Sequence, residues 1–390
     1  MGRHCREDAG GVPRGGMAKV GINLLWLVPG VVGGSETYTT RLLHGLVERS
    51  SEIDYTLFAL PQFAEAHPEL AKSFKIAYAP VTGNWKSFRI AGENSWLAVQ
   101  CRRRHIDLLH HAGGTIPVVR AVRPVLTIHD LQYLYYPEYF TKAKLTYLKT
   151  MVPRSAEVAR LVLTPSEYSR RTVIERLNID PSIVVVVPHG ISPRTTKAAS
   201  DALERYGISG CFFLYPAITY PHKNHLVLIE AFAKVLEHFP DTMLVLTGAK
   251  GSMEVRVAKE VSKLGIADKV LRLGYIPRAD LDALYIEAVA MTFPSRFEGF
   301  GAPVLEAMAR RCPVVASDAT ALPEVVQDAG YLVSPDNAEQ WAHAMTYLLN
   351  DKTRRDELAE SGFKRATEFT WSRAADVLED SYRHALGTTL

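Results

Sequence analysis

Short apolar runs alternate with longer amphipathic stretches along this chain from Lys19 onward. Each apolar run has the length of one strand, and each amphipathic stretch has the spacing of a helix with one buried face. The runs predict strands over Val20–Leu27, Tyr55–Leu60, Ile106–His110, Val125–His129, Leu161–Thr164, Ile183–Val187, Cys211–Tyr215, Met243–Thr247, Val270–Leu273, Ala288–Phe293 and Val314–Ser317. The helical patterns include Glu36–Glu48, Ser166–Leu177, His225–Leu236, Asp280–Ala288 and Val304–Arg310. This alternation is typical of parallel sheets covered by helices.

The two halves of the pattern predict an α/β protein with two doubly wound domains in series. A turn-rich, weakly periodic segment from Pro188 to Ala199 separates the halves and is suited to an interdomain linker. We therefore assign residues 17–190 to an N-terminal domain and residues 191–370 to a C-terminal domain. Two such sheets facing each other place the carboxyl ends of their strands around one cleft, where ligands bind.

Composition and charge exclude several classes of protein for this chain. The 390 residues carry 45 Lys and Arg against 42 Asp and Glu, and a net charge of +3 gives no reason to expect nucleic-acid binding. The four cysteines are far apart and form no CxxC pair, so neither disulfides nor a cysteine zinc site is expected. Residues 1–16 lack an apolar core and are expected to form a disordered leader, and the stretch Val20–Ser35 is too short to span a membrane. We therefore expect a cytoplasmic protein.

The segment from Phe293 to Glu306 is the strongest candidate for chemistry, because a strand end runs through a glycine-rich turn into a helix. Glu298 and Glu306 are eight residues apart, and Gly299 and Gly301 free the backbone between them. A helix N-terminus of this kind favours an anion such as a diphosphate, whereas the carboxylates are suited to sugar hydroxyls. On spacing alone, an equal alternative makes Glu298 a helix cap and Glu306 an ordinary surface residue.

The order of motifs along the chain resembles that of the retaining GT-B glycosyltransferases of family 4. Glu298 and Glu306 match the two glutamates of the E-x7-E signature of that family. Further matching segments are Gly33–Gly34, Thr127–Asp130, Leu163–Glu167, Val187–Ile191, Pro221–Asn224, Leu246–Gly248, Leu273–Tyr275 and Leu322–Glu324. The resemblance implies the GT-B fold, in which two Rossmann-like domains face a central cleft. It also implies that the N-terminal domain binds the acceptor, the C-terminal domain binds the nucleotide sugar, and residues 371–390 return as a helix to the N-terminal domain.

The resemblance implies catalytic or donor-binding roles for four side chains. Glu306 would hold the nucleotide ribose, and Glu298 would contact the transferred sugar. Lys223 would meet the diphosphate as a point charge and stabilise the departing nucleotide. His129 matches the family histidine near the donor sugar. The alternatives are a solvated lysine at a helix start and a buried structural histidine.

Glycines supply the rest of the expected donor site. By resemblance, Gly299, Phe300 and Gly301 form the loop whose backbone amides receive the phosphates. Gly33 and Gly34 would let the loop after the first strand approach the donor phosphate or the acceptor. A plain glycine-rich turn is the alternative for that loop.

One position departs from the family pattern. Most relatives carry Gly-Arg a few residues before the lysine, whereas this chain has Ile218 where that arginine is usual. Arg296 or His222 could supply the missing donor to the phosphate. The Pro-Ala dipeptide before a His-Lys-Asn triplet resembles a subgroup that includes mannosyltransferases of polysaccharide and glycolipid assembly.

The resemblance implies retaining, metal-independent transfer of a hexose, with mannose favoured, to a glycan or glycolipid hydroxyl in cell-envelope or polysaccharide synthesis. GDP-mannose is the favoured donor, while UDP-glucose and dTDP-rhamnose stay open, and no cofactor is expected. One alternative is a UDP-N-acetylglucosamine 2-epimerase, which uses the same double fold. The other is a non-catalytic subunit that binds a sugar nucleotide.

Two acidic motifs have competing interpretations. Asp280-Leu-Asp282 has the form of the DxD metal motif of the other glycosyltransferase fold, but its position at a predicted helix start favours an interaction with the helix dipole. We therefore expect no metal there. Glu324 matches a family element behind the donor site, and helix capping explains it nearly as well.

The remaining candidates concern the acceptor side. His110 and His111 belong to a strand-end loop that is expected to line the acceptor site. The basic stretches Arg102–Arg104 and Lys142–Arg154 are suited to peripheral association with an anionic membrane on its inner face, as in relatives with lipid-linked acceptors. A solvated helix face explains each basic stretch equally well.

Overall fold

The computed structural model describes residues 17–83, 85–191, 199 and 201–387. The predicted leader, residues 1–16, lies outside the described residues, as do residues 192–198 of the predicted linker. Within the described part the chain forms two parallel sheets with helices around them, so the predicted α/β class is confirmed. No helix among the described residues has both the length and the apolar content needed to cross a bilayer.

The first sheet has the strand order β3-β2-β1-β4-β5-β6-β7, and neighbouring strands are parallel. Its strands are β1 (Ala18–Asn23), β2 (Ile53–Ala59), β3 (Lys75–Tyr78), β4 (Leu108–His111), β5 (Arg123–Thr127), β6 (Leu161–Thr164) and β7 (Val184–Val186). Its helices are α1 (Gly34–Val47), α2 (Gln62–Ala66), α3 (Pro68–Ser73), α4 (Lys86–Asn94), α5 (Trp96–Arg104), α6 (Gln132–Tyr135), α7 (Lys142–Val158) and α8 (Glu167–Leu177). Short 3-10 turns cover Pro137–Tyr139 and Pro181–Ile183.

The second sheet has the order β10-β9-β8-β11-β12-β13 and is also parallel. Its strands are β8 (Phe212–Pro216), β9 (Met243–Thr247), β10 (Val270–Gly274), β11 (Ala290–Phe293), β12 (Val314–Ser317) and β13 (Tyr331–Val333). Its helices are α9 (Ala202–Arg205), α10 (His225–Leu236), α11 (Glu254–Lys263), α12 (Arg278–Glu287), α13 (Ala302–Met308), α14 (Leu322–Val326), α15 (Ala338–Asn350) and α16 (Lys352–Ala366), with a 3-10 turn over Pro221–Lys223. The chain ends its described part with α17 (Trp371–Leu386).

Every strand predicted from the apolar runs has a counterpart, but the prediction omitted the edge strands β3 and β13. Only one residue in each of these two strands is buried, so neither makes a continuous apolar run. The prediction also extended β1 by four residues, to Leu27, because Leu24, Leu25 and Leu27 are buried although they lie beyond the strand.

The last helix packs on the first sheet and not on the second. Ala374, Ala375, Leu378 and Tyr382 of α17 belong to the same buried cluster as Val20 of β1. The approach to α1 is close, since a Cβ on Gly45 of that helix would lie 2.7 Å from the carbonyl oxygen of Trp371. The chain therefore crosses from one domain to the other twice, once after β7 and once before α17. The two crossing segments meet where the Ile191 N–H donates to the Phe369 carbonyl at 2.9 Å.

Candidate active site

Strand order determines where a ligand-binding crevice can form. In both sheets the order reverses direction at one point, between β1 and β4 in the first and between β8 and β11 in the second. Ligands of open α/β sheets bind at the carboxyl ends of strands at such switch points. The loop after β8 carries Lys223, the loop after β11 carries Glu298, and His129 follows β5 in the facing sheet.

Lys223 and Glu298 form an ion pair although 75 residues separate them. Their side chains are only 18% and 13% exposed, so the pair is largely shielded from water. Backbone contacts hold the two loops together, because the Arg296 N–H donates to the His222 carbonyl at 2.7 Å. The Glu298 N–H in turn donates to Thr320 Oγ1 at 3.0 Å. The site thus holds a cation and a carboxylate side by side, which suits a diphosphate and a sugar hydroxyl respectively.

The backbone of His129, in the first domain, lies against Gly299, the residue that follows Glu298. A Cβ on Gly299 would lie only 2.4 Å from the carbonyl oxygen of His129, so only glycine allows this approach. Burial lowers the pKa of His129 to about 4, although a hydrogen bond to the Ala112 backbone opposes the shift. The ring is therefore neutral at pH 7. Its Nε2 is buried and has no hydrogen-bond partner among the described residues.

Glu306 lines a cavity of about 270 Å³ between the two sheets. Its carboxylate accepts from Arg278 at 2.9 Å, while Gly34 and Arg41 of α1 border the cavity from the first domain. The structure therefore places Glu306 and Gly34, one from each domain, at the same cavity. The proposed ribose contact of Glu306 remains a prediction, and it would have to compete with Arg278.

The two carboxylates of the DxD-like sequence are each engaged by arginine. Asp280 accepts from Arg205 at 2.8 Å, and Asp282 accepts from Arg310 at 2.9 Å and from Arg278 at 3.1 Å. The pKa of Asp280 is lowered, chiefly by its hydrogen bond with Arg205. No group of three or more potential metal ligands occurs among the described residues. Asp280 and Asp282 are thus both held in ion pairs with arginine side chains.

The glycine-rich segments differ in how they are built. Gly33 precedes α1 with a φ of 64°, and open space surrounds it and Gly34. Gly301 precedes α13 with a φ of 102°, which favours glycine. The ring of Phe300 is buried and stacks on His189 with centroids 4.5 Å apart, so only its backbone is available to a phosphate. The phosphate-binding role of this loop stays a prediction.

Ile218 stands at the position of the missing arginine and is partly buried. Ile218 sits against a tight turn, because a Cβ on Gly251 would lie 3.1 Å from Ile218 Cγ2. Of the two suggested substitutes, Arg296 is paired with Asp336 at 2.6 Å. His222 is held neutral, since burial lowers its pKa to about 4, and its buried Nδ1 has no hydrogen-bond partner in the part of the chain that the structure describes. The His222 ring has aromatic neighbours in Tyr220 and Tyr139, with centroids 6.0 and 6.1 Å away, whereas Arg296 is held in an ion pair.

Two other candidates have different surroundings from those expected. His110 is buried and its ring nitrogens contact Tyr382 of α17 and Thr127, each at 2.7 Å, which is a structural arrangement. His111 is also buried, with Nδ1 3.2 Å from the Asn23 amide. His110 is therefore committed to structural partners, whereas the expected acceptor-lining role of His111 stays a prediction.

Sequence reasoning missed two aromatic residues that connect the domains. His189 lies between Phe300 and Tyr38, with centroids 4.5 Å from each. Phe297 is buried against Tyr135 and Tyr136, with centroids 5.4 and 5.9 Å away. His189 lies in one of the motifs quoted above, but a motif does not show which distant ring it will contact.

Two Rossmann-like domains facing one cleft, with the Lys223–Glu298 pair at its switch point, define the class of a GT-B glycosyltransferase. The sequence model of "Glycosyl transferases group 1" matches residues 210–365, and that of "Glycosyltransferase Family 4" matches residues 32–195. The chain belongs to this family of glycosyltransferases, as the motif order predicted.

Similar proteins support this assignment. The O-antigen chain mannosyltransferase B of Escherichia coli is 31% identical over 288 residues, which cover 72% of this chain and 75% of that protein. The O-antigen chain mannosyltransferase RfbU of Salmonella typhimurium is 28% identical over 64% of this chain and 67% of its own length. The fold matches Thermosynechococcus elongatus sucrose-phosphate synthase with a TM-score of 0.76, at 19% identity over 95% of this chain and all of the other. Anabaena Alr3699/HepE in complex with UDP and glucose matches with a TM-score of 0.73, at 18% identity over 94% of this chain and all of the other.

Proposed function

We propose that the protein transfers mannose from GDP-mannose, with retention of configuration, to a hydroxyl of a glycan or lipid-linked acceptor in cell-envelope polysaccharide synthesis. The observation that carries this proposal is the shielded Lys223–Glu298 pair at the switch point of the second sheet. Mannose is favoured because two similar proteins are O-antigen mannosyltransferases. Their names also motivate the choice of a polysaccharide or lipid-linked acceptor.

In the proposed reaction the acceptor hydroxyl attacks the anomeric carbon from the side of the leaving group. The bond to the diphosphate oxygen breaks, the bond to the acceptor oxygen forms, and the acceptor proton passes to the departing diphosphate. Lys223 would leave Glu298 to stabilise the negative charge that develops on the diphosphate, and Glu298 would then orient the sugar. Neutral His129 would hydrogen-bond the sugar through its unpartnered Nε2. No side-chain nucleophile and no metal is required.

Peripheral association with an anionic membrane is the second part of the proposal. Trp85 and Phe88 at the start of α4 are 67% and 59% exposed. Lys86 of the same helix lies over the ring of Tyr147 of α7, 5.1 Å from its centroid, so α4 and the basic helix α7 adjoin. Aromatic and basic side chains together favour an interface with anionic lipid. Cosedimentation with vesicles containing phosphatidylglycerol should fall when Trp85 and Phe88 are replaced by Ser, and unchanged binding would contradict this surface.

The decisive experiment is release of nucleotide from GDP-, UDP- and dTDP-sugars by the purified protein, with and without candidate glycan acceptors. We expect slow release of GDP from GDP-mannose alone, and acceleration by the correct acceptor. Glu298→Gln should abolish the release, whereas Glu357→Gln, which only loses a surface contact with Arg354, should not. Release from a UDP- or dTDP-sugar would correct the donor. Isomerisation of the sugar without an acceptor would favour the epimerase instead, and binding without any turnover would favour the non-catalytic subunit.

A further inference from the structure

The start of helix α8 in the first domain is capped by a carboxylate from the second domain. Glu324 at the start of α14 accepts from the backbone N–H of Glu167 at 2.9 Å and from that of Tyr168 at 3.0 Å. These two amides belong to the first turn of α8, which has no partner for them within the helix. Arg365 holds the backbone of Glu324 in place by donating to its carbonyl at 2.9 Å. The charge of Glu324 is also favourable here because of the helix dipole.

The same end of α8 binds the loop that carries Glu298. Ser166, the N-cap of α8, accepts from the Ser169 N–H and donates to the Gly299 carbonyl at 2.7 Å. Ser169 Oγ lies 3.0 Å from the same carbonyl and 3.2 Å from that of His129. The backbone next to Glu298 is therefore attached to the helix that Glu324 caps.

Aromatic packing completes this contact on the other side of Glu298. The Phe297 ring lies among Tyr135, Tyr136 and Tyr168, with centroids 5.4, 5.9 and 6.3 Å away. All three tyrosines belong to the first domain, and Tyr168 is the residue whose amide Glu324 binds. Both residues that flank Glu298 are thus fixed by the first domain.

We infer that Glu324 is a positioning residue, which holds α8 against the second domain and thereby keeps the Glu298 loop in its transfer geometry. The contact between Glu324 and the amides of Glu167 and Tyr168 is named here the α8 contact. Glu324 and α8 belong to different domains, so opening of the cleft between the domains would break the α8 contact. Its catalytic consequence rests on the proposed function: loss of the contact opens the cleft, so water competes better with the acceptor.

The test uses Glu324→Gln in the full-length protein. Glutamine keeps one acceptor but presents an NH2 group to the second amide and removes the charge. We expect loss of this cap to raise the equilibrium constant for opening of the α8 contact about fivefold. Glu357→Gln on α16 is the matched control, since Glu357 is 58% exposed and its side-chain partner within the described part of the chain is Arg354 of the same helix.

Hydrogen exchange measured by mass spectrometry reports the contact without reference to activity. We expect amides of residues 166–172 to exchange about fivefold faster in Glu324→Gln, and fragments covering residues 295–301 to exchange faster as well, with no change in Glu357→Gln. We also expect the ratio of donor hydrolysis to transfer to rise about fivefold, while nucleotide affinity changes less than about twofold, because neither Glu324 nor α8 is among the residues expected to contact the nucleotide.

The outcomes separate the inference from the proposed function. Unchanged exchange at residues 166–172 would overturn the α8 contact itself. Faster exchange there, with residues 295–301 and the hydrolysis ratio unchanged, would make Glu324 a simple helix cap and overturn the positioning role. If no variant and no wild-type protein used any sugar nucleotide, the proposed function would fail, while coupled exchange of the two segments would still support the contact.

Discussion

Replacement of Gly299 by Ala is the most direct test of the contact between the two domains. A Cβ at this position would lie 2.4 Å from the carbonyl oxygen of His129 and 3.2 Å from the Cβ of Asp130. The first of these neighbours is backbone, which cannot rotate away as a flexible side chain can. The added methyl group must therefore push the Glu298 loop away from the first domain.

The size of the displacement follows from the distances. Ordinary contacts of a Cβ begin at about 3.4 Å, so the loop and the His129 carbonyl must separate by about 1 Å. A misplacement of about 1 Å at a reacting centre can lower the rate about 100-fold. That factor corresponds to about 2.7 kcal/mol of transition-state stabilisation. Gly299 also belongs to the loop expected to receive the phosphates, so nucleotide binding should weaken too, but by less than kcat, because the expected contacts of Lys223 and Glu306 are on other segments.

The assay compares transfer and binding in the same preparations. We expect kcat for transfer to fall about 100-fold in Gly299→Ala, with nucleotide Kd from calorimetry raised by no more than about tenfold, the effect of weakening one hydrogen bond, and an unchanged circular dichroism spectrum. Gly92→Ala is the matched control, because a Cβ there would make ordinary contacts of 3.6 and 3.7 Å with Leu25 and Val81. Wild-type turnover in Gly299→Ala would show that this close approach is absent from the reacting conformation, and would refute the reasoning.

Three further predictions concern single groups. Lys223→Ala should lower kcat about 100- to 1,000-fold, as loss of a charge-stabilising donor does, and normal single-turnover rates would move the diphosphate role to another cation. Glu306→Ala should weaken nucleotide binding at least tenfold by calorimetry, the effect of losing a hydrogen bond to a charged group; unchanged affinity would leave Glu306 as only the partner of Arg278. Burial lowers the pKa of His110 to about 3, so between pH 6.5 and 3 the unfolded chain binds a proton that the native chain does not. Stability is thus present above pH 6.5 and lost on acidification, by about 2 kcal/mol at pH 5 for this group, and a urea midpoint equal at pH 7 and pH 5 would contradict it.

The sequence predicted those strands and helices whose own residues form an apolar run or repeat with helical spacing. Central strands such as β8 and β12 are buried along most or all of their length, so their sequences are continuous apolar runs. The edge strands β3 and β13 gain their conformation from a neighbouring strand, and their own half-exposed sequences carry little signal. Helix α10 was predicted to the residue, because its apolar positions repeat with helical spacing.

In the candidate site, too, the residues within local motifs could be predicted from the sequence, whereas their contacts with distant segments could not. Glu298, Glu306 and Lys223 belong to recognisable motifs, so their positions near one cleft followed from strand order and the resemblance. The partners that these motifs meet across the domain interface were not predictable, because 157 residues separate Glu167 from Glu324. Nothing local specifies that a carboxylate of one domain will cap a helix of the other.

The return of α17 to the first sheet has a consequence for how this protein is made. Val20 and Leu57 are among the first core residues to leave the ribosome, yet their buried cluster includes Leu378 and Tyr382 near the other end of the chain. The second sheet, which lies entirely between these segments in sequence, can complete its core first. During synthesis part of the apolar surface of the first domain therefore stays uncovered until α17, which follows the second domain in the sequence, has emerged.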